Sequence, residues 1–144
     1  MRLQTISLTL FLTASLLAFA VKDQSVQDLI ARAQSVRPED RPALYVEIME
    51  LQIKNADQLY REGKPEAALA AINDATTYSD KAHDAAIAVP KKIKNTEIAF
   101  RKSAAKLRDI KRTLNFGEQP PVQSASDHIE QLRSDLLAKM FSKN

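Results

Sequence analysis

The chain has 144 residues, a formal net charge of +3 and no cysteine. That length suits one domain with one modest core, and the missing thiols exclude disulfides, thiolate nucleophiles and thiolate metal sites together. Two glycines and six prolines, set against abundant Ala, Leu, Lys, Glu, Gln and Arg, exclude collagen-like and turn-rich all-β architectures and point to an all-α protein.

The chain opens with an apolar run, Ile6 to Ala20, interrupted only by Ser and Thr, with Arg2 as the only charged side chain before Lys22. It ends in Ala18-Phe19-Ala20, which puts small residues where signal peptidase cuts. The run is shorter than the roughly twenty residues a membrane-spanning helix needs. The expectation is an export signal over 1–20 cleaved after Ala20, leaving a single helical domain over 21–144 in the periplasm or outside the cell. An uncleaved anchor and a buried first helix are the competing readings.

Four helical stretches follow. The first, over 24–36, places Val26, Leu29, Ile30, Ala33 and Val36 on one face and ends before Pro38. The second, over 40–62, has Asp40 as N-cap and Pro42 in its first turn, with Val46, Met49, Ile53, Ala56 and Tyr60 recurring at helical steps. Glu50–Lys54 and Asp57–Arg61 are i,i+4 pairs in the favourable order. Gly63 stops this helix and Pro65 starts the next, so the two are antiparallel neighbours.

From Pro65 to Leu114 the apolar spacing runs without a slip: Ala68, Ile72, Ala75, Ser79, Ala82 and Ala86 pass across Pro90 to Ile93, Phe100, Leu107 and Ile110. Such a sustained repeat predicts one very long helix over 65–114, kinked at Pro90. Asn115 to Pro121 is then a loop. A last helix over 125–141 buries Ile129, Leu132, Leu136 and Met140, with Asp127 and Glu130 spaced as a capping box. The expected fold is therefore an elongated all-α bundle, or antiparallel helical hairpin, built on that long helix and closed by a C-terminal one.

Between Asn55 and Asp80, Ala56, Leu59, Gly63, Ala68, Ile72 and Ala75 occupy the small, apolar and turn positions of a two-helix unit. The segment resembles a single tetratricopeptide repeat, set within what looks like a small exported bacterial helical protein. Gln52, Pro65 and Asp80 depart from the repeat's usual residues, and no second copy stands 34 residues away. The resemblance implies a helical hairpin that binds other proteins and carries no catalytic chemistry.

No constellation for catalysis or cofactors stands out. His83 sits beside Asp80 and Asp84 without the second motif a di-metal bundle needs, and His128 falls in the expected first turn of the last helix. No Gly-x-Ser-x-Gly elbow or phosphate-cradling glycine loop is present. No catalytic, cofactor or metal residues are assigned, and a non-enzymatic protein is expected.

Charge is the asymmetric feature. Between Lys91 and Arg112, nine basic residues face only Glu97 and Asp109, whereas Glu39 to Asp84 carries ten acids against five bases. Lys94, Arg101 and Arg108 repeat every seven residues away from the apolar seam. With Lys91, Lys102 and Arg112 they form the candidate interaction face. Three readings compete: a solvated face, pairing with the acidic half of another copy, and docking on an anionic membrane or polyanion. Nucleic acid fits least well, because the face lacks interleaved aromatics. The expected partner is a protein or a second copy of this chain, with no small-molecule substrate.

Overall fold

The computed structural model describes residues 25–142, and within them the chain is helical with no strand. The proposed export segment and its cleavage point lie outside the described residues. Helix α1 spans 25–35; α2 is Arg41–Arg61, α3 Pro65–Ala88, α4 Ile93–Thr113 and α5 Gln119–Phe141. The all-α packed bundle expected from composition is the architecture found.

Each turn follows from local chemistry. After α2, Gly63 adopts φ +70°, Gly63 N–H donates to the Tyr60 carbonyl at 3.1 Å and Lys64 N–H to that of Leu59 at 2.9 Å. This pair of bonds satisfies the helix's last carbonyls and leaves Pro65 at the first position of α3, where a missing N–H costs nothing. A side chain at position 63 would meet open space but a strained backbone.

The single helix expected over 65–114 is not formed. It divides into α3 and α4 at Val89–Lys92, and the chain reverses there. Pro90 has no N–H to offer the Ala86 carbonyl, which instead accepts from Val89 N–H at 3.0 Å. Val89, crowded by the proline ring, leaves the helical region for φ −131°, ψ 79°. One turn of 3-10 helix, Pro90–Lys92, then leads into α4. The last helix also starts earlier than expected: Pro120 and Pro121 do not terminate a loop but sit in the first turn of α5, whose N–H groups have no intrahelical acceptors anyway.

Side-chain contacts fix the directions. Tyr45 stacks near Tyr78 and Gln52 donates to Asp74, so α2 and α3 are antiparallel. Arg133 meets Glu97, Arg108 meets Glu130 and Lys111 meets Gln123, so α4 and α5 are antiparallel too. Asp80–His128 and His83–Asp135 align α3 parallel to α5. Two hairpins therefore pack with like helices side by side, α2 on α4 and α3 on α5. Helix α1 covers one side through Val26, Leu29 and Ala33, which cluster with Leu44 and Ile48.

The second hairpin shares part of the burial pattern of the first, although Leu44 and Ile48 of α2 have no buried counterpart in α4. Moved forward 51 positions, Pro42, Met49, Gln52, Ile53 and Ala56 of α2 fall on Ile93, Phe100, Ser103, Ala104 and Leu107 of α4. Moved 54 positions, Ala68, Ala71, Ile72, Ala75 and Ala82 of α3 fall on Val122, Ala125, Ser126, Ile129 and Leu136 of α5. All twenty are buried. Helix α1 continues the series: Val26, Leu29 and Ala33 precede Ser79, Ala82 and Ala86 by 53 positions. The described residues form two hairpins and one leading helix, an arrangement compatible with a helical repeat-like fold.

Candidate functional site

Helix α4 carries the basic residues on three arcs around its buried stripe. Lys94 and Arg101 lie on the outer arc, exposed and without an ion pair among the described residues; in the preceding corner Lys91 is exposed and Lys92 half-buried, and they too have no ion pair among the described residues. Arg108 does not continue this line into solvent. It is half-buried and donates to Glu130 of α5 at 3.2 Å. Arg112 is exposed and donates to Asp109 one turn back at 2.9 Å. Lys102 is exposed on the opposite flank, where it faces α2.

The flank toward α5 is a charge network. Arg133 donates through Nε to Glu97 at 2.7 Å and through Nη1 to Glu130 at 3.2 Å, and these bonds push its guanidinium pKa up from its ordinary value. Glu97 is itself buried, with 9% of its side chain exposed. One of the two acids in the basic stretch thus serves as an internal tie between helices.

The flank toward α2 is a cleft of about 210 Å³ lined by Glu50, Ile53, Lys54, Lys102, Ser103 and Lys106. Lys106 donates to Asp57 at 2.9 Å, and Asp57 also accepts from Arg61 at 3.0 Å. The expected Asp57–Arg61 pair is therefore made. The expected Glu50–Lys54 pair is not: Glu50 interacts with Lys102 across the cleft, leaving Lys54 without an ion pair among the described residues. Burial raises the Glu50 pKa, Lys102 opposes that rise and Glu47 adds to it.

Both histidines lie between α3 and α5. His83, only 12% exposed at its side chain, has Nε2 2.7 Å from Asp135 and Nδ1 3.0 Å from Asp84. His128 Nε2 lies 2.7 Å from Asp80. His83 is thus not on a solvated face, and His128 is not in a first turn, because α5 begins nine residues earlier at Gln119. Asp127 accepts from Gln123 within the helix instead of capping it. Among the described residues no group of three or more His, Asp or Glu side chains is arranged to hold a metal.

Residue spacing pointed to the outer arc of α4 and missed the cleft. Its cue was the pair Lys102 and Lys106, four apart on one edge of the apolar stripe, but their partners on α2 are some fifty residues away. No family model matches the chain, and neither a curated protein nor a solved structure matches it.

Proposed function

We propose that the protein is an exported, non-enzymatic helical module that binds another protein, in the manner of the hairpin repeats its turn region resembles. The observation that supports this most is the repeated burial pattern, which stacks two hairpins so that α2 and α4 lie side by side and offer one continuous lateral surface. Helical stacks of this kind recognise partners along such surfaces. The spacing of 51–54 positions is longer than the 34 residues of a tetratricopeptide repeat, so the likeness to that family rests on the hairpin and its turn.

Affinity capture from the source organism's envelope tests this reading. A protein retained after detergent has stripped lipid, and eluted by free untagged chain, supports it; recovery of lipid alone, or of nothing beyond blank resin, refutes it.

A second reading, peripheral binding to an anionic lipid surface, draws on Lys91, Lys92, Lys94 and Arg101, four cations without ion pairs among the described residues at one end and the outer arc of α4. It requires salt-sensitive binding to anionic vesicles that is lost when Lys94 and Arg101 become Glu. Among the described residues no helix is long and apolar enough to cross a membrane.

A further inference from the structure

The geometry points to the α2–α4 cleft as a docking site for one acidic side chain of a partner protein's extended segment, held by Lys54, Lys102 and the Ser103 hydroxyl. This deepens the protein-binding reading and rests on it.

Three observations carry the inference. The first is a hydroxyl that faces the cleft. Ser79, Thr96 and Ser126 are buried and each donates to a backbone carbonyl. Ser103 is 4% exposed as a residue and makes no hydrogen bond among the described residues, but its hydroxyl is open to the cleft that it lines. A hydroxyl so placed is a ready donor to an acceptor that enters the cleft.

The second is charge. Lys54 from one hairpin and Lys102 from the other line the cleft, where Lys102 has only the longer-range attraction of Glu50, while Lys106 is already committed to Asp57. Among the described residues Glu50 is the one acid lining the cleft, a single carboxylate against two lysines, so the two are incompletely balanced.

The third is size. About 210 Å³ falls below the roughly 300–1,000 Å³ of small-molecule sites, and it fits one acidic side chain whose methylenes lie on Ile53 while its oxygens accept from Ser103 and the two ammonium groups. Such charge-assisted bonds are the strong kind.

Titration of the full chain against fluorescein-labelled hexaglutamate, followed by anisotropy at about 20 and 150 mM salt, tests this. Four variants, each checked for helicity, accompany the wild type. The double variant K54A/K102A should weaken binding at least tenfold, and S103A about three- to tenfold, by the size of a hydrogen bond to a charged group. E50Q should tighten it, and K94A/R101A on the outer arc should change it less than twofold.

The inference is overturned if hexaglutamate fails to bind at low salt, or if the outer-arc variant loses as much as the cleft variant. Saturation by inorganic phosphate without hexaglutamate binding would assign the cleft to a free anion and also overturn it. A captured protein partner whose retention ignores K54A/K102A would leave the protein-binding reading standing and remove the cleft from it.

Discussion

Replacing Arg133 by Met keeps most of the stem and removes the charge that ties α5 to α4. Two bonds disappear, to Glu97 at 2.7 Å and to Glu130 at 3.2 Å, and they are unequal. Glu130 is about a third exposed and keeps Arg108, so its loss is worth no more than about 0.5 kcal/mol. Glu97 has 9% of its side chain exposed and would be left as a nearly dry, unpaired carboxylate, the situation that costs about 3–5 kcal/mol when a buried pair is broken. Partial rehydration through the exposed quarter of the Arg133 site argues for the lower end, so R133M should lose about 3 kcal/mol in urea unfolding with an unchanged m value. The double variant E97L/R133M removes both charges and should recover to within about 1 kcal/mol of wild type. A loss under 1 kcal/mol in the single variant, or a double variant as unstable as the single, would show that Glu97 finds water or another partner and that the pair does not lock the hairpin.

Phe100 is completely buried among side chains that include Ala56, Ala75 and Ala104, which cannot swell to fill its space, so Phe100→Ala should cost about 3–5 kcal/mol, whereas Phe116→Ala, at an 89% exposed site, should be neutral in the same melts. Pro90→Ala restores an N–H and removes the ring that turns the chain, so α3 can run on into α4 and exchange hairpins with a second copy; refolding at rising concentration should yield a dimer by sedimentation, and a strictly monomeric variant would mean that packing alone sets the corner. Burial raises the folded pKa of Glu50, so the folded state holds its proton longer than the unfolded chain and stability falls as pH rises through the window just above 4.5. Glu50→Gln should therefore match wild type near pH 4 and exceed it above that window; a gain confined to pH 4 would reverse the sign.

The buried stripe was legible in the sequence, and the path of the chain was not. Ala68, Ile72, Ala75, Ala82 and Ala86, then Ile93, Phe100, Leu107 and Ile110, were expected on one seam and are all buried. Periodicity reports which side of a helix meets the core, and two helices that reverse about a corner can both turn that side inward. The same spacing therefore suits one straight helix or two antiparallel ones, and Val89–Pro90 decides between them. Pro120 and Pro121 were misread as a stop because proline is equally at home in a first turn. The polar contacts that position α5, Glu97–Arg133 and the two His–Asp pairs, join residues 36 to 52 apart, beyond the reach of any local pattern. For the basic face, spacing located the outer cations, but only the fold separates Arg108, spent on Glu130, from Lys54 and Lys102, which meet across the cleft.

The likeness of the two hairpins also bears on how the chain reaches this structure. Each hairpin closes through a short turn, so its contacts are local, whereas α2–α4 and α3–α5 contacts bridge roughly fifty residues; local contacts form fast and distant ones late. Folding is then zipping of two similar halves followed by their docking, and the docking step carries the kinetic barrier. Under native conditions α4 and α5 should then detach together as one cooperative unit before either unwinds. Amide protection read along the chain would step once, at Val89–Lys92, rather than fade gradually toward the ends.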